Sequence, residues 1–459
     1  MDIAGNGAKK HMPGKSRKPY TRSKEARTWI PGVPAEELYN TIWHFDGVPS
    51  ALRSVFHFAG AEEVYLDDVN FAAILAYPFR FWFSHDWASC LAYTHEEPIG
   101  VIVANTLGYD YLYEAGGFGD SAPDDVCAGK ETLDAAAASR SWETVKQALD
   151  AGNPVIVFGG DPAVDPKAPP VVVTGYDENK DLVFFLPHAT WEAPPKWKDS
   201  DPECRDGIRE QGYRARKRPD ERCWVGNGFA PGQGEGGAAL SFFVCKERVH
   251  SPNPHEVALS VVRRAVGLGR GRLRDHERPY RHSGLQAFDL LAECLEQDGD
   301  RFKHQEISMS WEDVGKTGWW FAMEALASPL HRKAASLFLE RCAGKFGGFT
   351  EEQNVLLWAA AGFYVASSDH FGALWDLFLS VGPLETHEDR RSTVALALME
   401  SSTRKRAAEI VRYIRATEEK AISFLERVLA LEPESKASFQ NDSTSSPVGG
   451  TRRRQRHWY

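Results

Sequence analysis

The 459 residues hold 54 Lys and Arg against 64 Asp and Glu, for a formal net charge of -10, and 42% of them are hydrophobic. That balance builds ordinary cores, and no apolar run approaches the length of about 18 residues that a membrane span requires. The ends are basic and the body acidic: residues 1–27 sum to +6 and 436–459 to +4, leaving near -20 on 28–435, which argues against nucleic acid as the main partner.

The first stretch, 1–27, is polar and basic without an apolar segment, and reads as a disordered tail rather than a secretory signal. Seven cysteines stand at 90, 127, 204, 223, 245, 294 and 342 with no C-x-x-C pair. An odd, unpatterned set reads as reduced thiols of a cytoplasmic protein, without a zinc site. The stripe Leu52, Val55, Phe56, Ala59 predicts a helix over about 49–59 that stops at Gly60. Within "YPFRFWFSHDW", Phe79, Phe81, Trp82, Phe83 and Trp87 are candidate linings of an apolar ligand cleft, or alternatively core packing between domains.

"SWETVKQALDAGNPVIVFGG" predicts a helix capped by Ser141 and ended by Gly152, then a buried strand. "PPVVVTGYDENKDLVFFLP" predicts an antiparallel hairpin turning at 177–181. Residues 192–237, rich in Pro, Gly and charge, read as a surface insertion, and "AALSFFVCKERV" restores a strand. From 254 to 435 the pattern is helical throughout. Asn253 caps and Pro254 opens the first of these helices. "GLGRGR" at 267–272 follows a helix and lacks the Lys-Ser/Thr of a phosphate loop, so it reads as a helix end and turn, and no cofactor is expected. Residues 436–459 read as a second basic tail.

The expected domains are therefore an α+β unit over 28–250 and an α-helical unit over 254–435. "DGVPSALRSVF", "LDAGNPVIV" and "VVVTGYDENKDLVFF" together resemble papain-like cysteine peptidase folds, in particular bacteriocin-leader (double-glycine) peptidases and the butirosin biosynthesis protein H N-terminal family. "AVGLGRGRLRDHERPYRHSGLQAFDLLAECLE" is similar to the start of the helical half in relatives of that group. The resemblance implies a papain-like domain whose nucleophile opens a helix, with a base histidine and an orienting acid on the opposing sheet. Aligned on Ala51 and Leu52, the cysteine falls on Gly47. The histidine falls on Pro169, the orienting Asp on Leu186 and the oxyanion-hole glutamine on Thr41.

All four roles are then vacant, and the expectation is a degenerate domain that binds a small molecule, peptide or protein. The competing reading is a thiol acyltransferase, amidase or peptidase with a relocated nucleophile, Cys90, served by His188 or His85. A third is an assembly protein that forms homo-oligomers through its helical half.

Overall fold

The computed structural model describes residues 20–21, 27–30, 32–34, 47–83, 98–114, 135–158, 171–177, 182–186, 213–214, 224–226, 241–273, 282–297, 319–379 and 397–432. Helix α1 (Gly47–Phe58) forms where the apolar stripe predicts it, with Pro49 in its first turn and Leu52, Val55 and Phe56 fully buried. Gly60, at φ +90°, ends it. Helices α2 (Glu63–Leu66) and α3 (Asp68–Ile74) follow, and Asp67 caps α3 by accepting from the amides of Val69 and Asn70. A 3-10 turn at Tyr77–Phe79 leads to strand β3 (Trp82–Phe83).

Next come α4 (Ile99–Leu107), α5 (Ala135–Asp150) and the large sheet. Its strands are β1 (Tyr20–Thr21), β2 (Arg27–Trp29), β4 (Tyr109–Glu114), β5 (Val155–Phe158), β6 (Val171–Asp177), β7 (Leu182–Leu186), β8 (Tyr213–Arg214), β9 (Trp224–Gly226) and β10 (Ser241–Arg248). Every pairing is antiparallel, in the order β4-β10-β5-β6-β7-β9-β8. Strand β2 lies farther along β6, with Thr28 opposite Tyr176, and β1 pairs with β2. The predicted hairpin is β6–β7, with Val172 opposite Leu186. Its Val172, Val173 and Tyr176 are buried beside Val155, Ile156 and Val157 of β5.

The later part of the chain is built from α6 (Pro254–Gly269), α7 (Gly284–Gln297), α8 (Trp319–Arg341), α9 (Glu351–Leu379) and α10 (Ser401–Ala430). Asn253 and Glu256 form a reciprocal capping box at the start of α6. "GLGRGR" is the end of α6 and its turn, and Gly284 passes so close that an added Cβ would lie 2.4 Å from the Gly269 carbonyl oxygen. Only glycine serves there, at φ +56°. Alpha-helices α8 and α9 are joined through a π-helical turn at Cys342–Phe346.

Three expectations need amendment. The helical part contains a strand, β11 (His282–Ser283), which pairs with β3 across the chain and is too short to give any periodic signal. Tyr20–Thr21, inside the segment read as a tail, and Arg27 join the sheet because β6 leaves an edge open there. Tyr213–Arg214 and Trp224–Gly226, inside the predicted insertion, extend the sheet beyond β7. The remainder of both tails and of 192–237 lies outside the described residues. One hydrophobic core runs through both parts of the chain, taking Phe56, Ile156 and Phe243 together with Val262, Phe338, Tyr364 and Leu425.

Candidate functional site

Helix α1 lies against β5 and β6 of the large sheet. Ser50 and Ser54 are buried on it beside Ala51, Leu52 and Val55. The first amides of a helix have no intrahelical acceptor and favour negative charge. At that point stands Gly47, which brings no side chain. Leu186 closes β7, an apolar residue with nothing to orient an imidazole. Thr41 and Pro169, and the alternative pair Cys90 and His188 with His85, lie outside the described residues.

The described thiols are Cys245 on β10, Cys294 on α7 and Cys342 at the π-turn; all three are buried and none forms a disulfide. Burial pushes the thiols of Cys245 and Cys342 far above the ordinary range, and Asp110 adds to the effect on Cys245. A thiol held protonated is a poor nucleophile. Among the described residues no group of three or more His, Cys, Asp or Glu converges in a way that could hold a metal ion.

The aromatic segment is enclosed by the helices. Phe79 meets Tyr364 and Phe338 edge-on at 5.5 and 6.4 Å, and Phe81 stacks on Phe288 at 4.0 Å. Phe83 joins the same cluster as Phe81, while Trp82 packs with Ala76 and Leu268. Each of the four aromatics is buried; Trp87 lies outside the described residues. Ala76 holds a left-handed backbone at φ +60°, a strained conformation for a residue with a Cβ.

Arg332 of α8 fixes this strained segment. Its Nη1 donates to the carbonyls of Pro78 and Arg80 at 3.1 and 2.9 Å, and its Nε and Nη2 donate to Glu418 of α10 at 2.5 and 3.2 Å. Ser367 of α9 donates to the same carboxylate at 2.8 Å. Arg332 and Glu418 are almost wholly out of solvent, 0% and 4% exposed. The Arg332 guanidinium also lies 5.5 Å from the Phe371 ring centroid, and the buried Arg80 guanidinium lies 5.2 Å over Tyr77. Tyr364 stands beside the pair; burial pushes its phenol up and Glu418 adds to this.

With three donors on its two oxygens, the carboxylate ties α8, α9 and α10 together. Sequence reasoning missed this cluster because its members are 86 residues apart. The available signal was a charge within an apolar stripe, Glu418 following Val411 and Ile414 and preceding Ala421 and Leu425.

Comparison with protein-family models, with curated proteins and with solved structures finds no match to this chain.

Proposed function

We propose that this chain is a catalytically degenerate papain-like module that binds a small molecule, peptide or protein in a cleft beside the start of α1. The observation that carries the reading is the opening of α1 on Gly47 at the sheet formed by β5 and β6, the place where a thiol enzyme of that design needs its sulfur. The order helix, strand, hairpin along the chain supports it, and so does the shielding of Cys245 and Cys342. A cleft floor without thiolate or imidazolium favours neutral or apolar groups, since an unpaired charge is costly to desolvate.

Alkylation of the native full-length chain with iodoacetamide across about pH 5 to 9, mapped by mass spectrometry, tests the proposal. The expected result is that no cysteine reacts rapidly near pH 6. Rapid labelling of one cysteine at that pH, Cys90 above all, overturns it in favour of a relocated nucleophile.

A further inference from the structure

Helices α8 and α9 form an antiparallel hairpin. The π-turn joins their ends, and Ser368 of α9 donates to the Pro329 carbonyl of α8 at 2.8 Å. Counting roughly 100° per residue from that seam, Leu330 and Leu337 on α8 and Val355, Trp358 and Val365 on α9 fall to the same side. All five are exposed, Val355 at 63% and Trp358 at 52%. Around Gly362 there is open space where a Cβ would sit, leaving a notch between Trp358 and Val365. The opposite side of the hairpin is taken by α10 and the 3-10 turn. A contiguous apolar row with a half-exposed Trp at its centre is the composition of an interface, since tryptophan in particular concentrates binding energy there.

The charges at its margins indicate what covers it. Along the exposed row of α8 stand the cations Lys333 and Arg341, the latter already bonded to Asp67. Along that of α9 stand the anions Glu351, Asp369 and Asp376. A face basic on one helix and acidic on the other is complementary to itself. A two-fold axis parallel to the hairpin lays each α8 over the second copy's α9, bringing Lys333 toward Asp369 and Leu337 toward the notch.

We infer that this chain forms a two-fold homodimer through the outer face of α8 and α9, giving a four-helix contact centred on Trp358 and Gly362. The surface is remote in sequence from α1, so the inference stands apart from the cleft proposal.

Light scattering after size exclusion of the full chain at about 50 µM is expected to give twice the chain mass. Trp358→Glu is expected to give the monomer with an unchanged far-UV spectrum, because the side chain is half in solvent. Lys333→Glu and Asp369→Lys are each expected to weaken the dimer by about tenfold or more, and an equimolar mixture of the two to restore it as a heterodimer. A monomeric wild type overturns the inference and assigns the face to a different protein. A dimer that survives Trp358→Glu, or a mixture no tighter than its components, overturns the proposed surface or its two-fold arrangement.

Discussion

Replacing Glu418 with alanine removes the only carboxylate that faces Arg332 among the described residues and leaves a guanidinium at 0% exposure, held by two backbone carbonyls and the face of Phe371. Breaking a buried pair from one side costs about 3–5 kcal/mol, largely because the surviving charge stays desolvated. The structure places this loss near the middle of that range: two charge-assisted bonds and the Ser367 bond disappear, while Pro78 and Arg80 still hold Nη1. With an m-value of about 3 kcal/mol per molar urea, a loss of about 4 kcal/mol lowers the midpoint by a little over 1 M. Tryptophan fluorescence and far-UV circular dichroism, followed together, would measure it. The double replacement Arg332→Met with Glu418→Met is expected to cost less than either single change, since no charge is then left unpaired. A single change costing under about 1 kcal/mol, or a double change equal to the sum of the singles, refutes the reasoning.

Gly47→Cys places a thiol among the free amides of α1; a depression of one pKa unit there raises the thiolate fraction at pH 7 roughly tenfold. Faster alkylation than a free-cysteine peptide is expected, and labelling no faster than that peptide refutes the placement of the helix start. Tyr109 is buried and its hydroxyl has no hydrogen-bond partner among the described residues. Tyr109→Phe is therefore expected to leave stability unchanged or to raise it by about 1 kcal/mol, and a measured loss beyond that refutes the idea. Hydrogen bonds from Arg270 hold the Glu426 carboxyl below the usual carboxylate range. Its contribution is present above the unfolded pKa and is lost as pH falls through the lower folded value, so Glu426→Gln should flatten the acid limb of a stability profile; an unchanged limb refutes it.

Local chemistry was readable wherever it decided the structure alone. Asn253 followed by Pro254 announces α6 and its cap, the stripe from Leu52 to Phe56 announces α1, and the alternation of two apolar runs about a polar turn announces β6–β7. Other elements depend on distant partners. Helix α4, "IGVIVANTL", is buried on nearly every side, so no amphipathic period marks it as a helix. Strand β11 exists because β3 is beside it, and the carbonyl of Pro78, two residues past the left-handed Ala76, is held by a guanidinium more than 250 residues away. For the candidate site, α1 and the hairpin were legible as a frame. The ion pair that sets the aromatic segment was not, since no local pattern links Arg332 to Glu418.

Strand β10 sits between β4 and β5, although it follows both in the chain and is separated from β5 by the sequence that carries β6, β7, β8 and β9. During synthesis, therefore, the ribosome releases β4 and β5 as two unjoined borders, each offering a row of free amides and carbonyls. The connection from β5 to β10 carries β6, β7, β8 and β9, which build outward from the far border of β5 and leave the gap beside β4 open. What the nascent chain bears is time: until Phe242 and Phe243 emerge, Phe56 and Tyr109 lack the rings they pack against or share a core with, and α1 has an incomplete floor. Chaperone dependence of early chains should consequently fall sharply once residue 248 has cleared the exit tunnel.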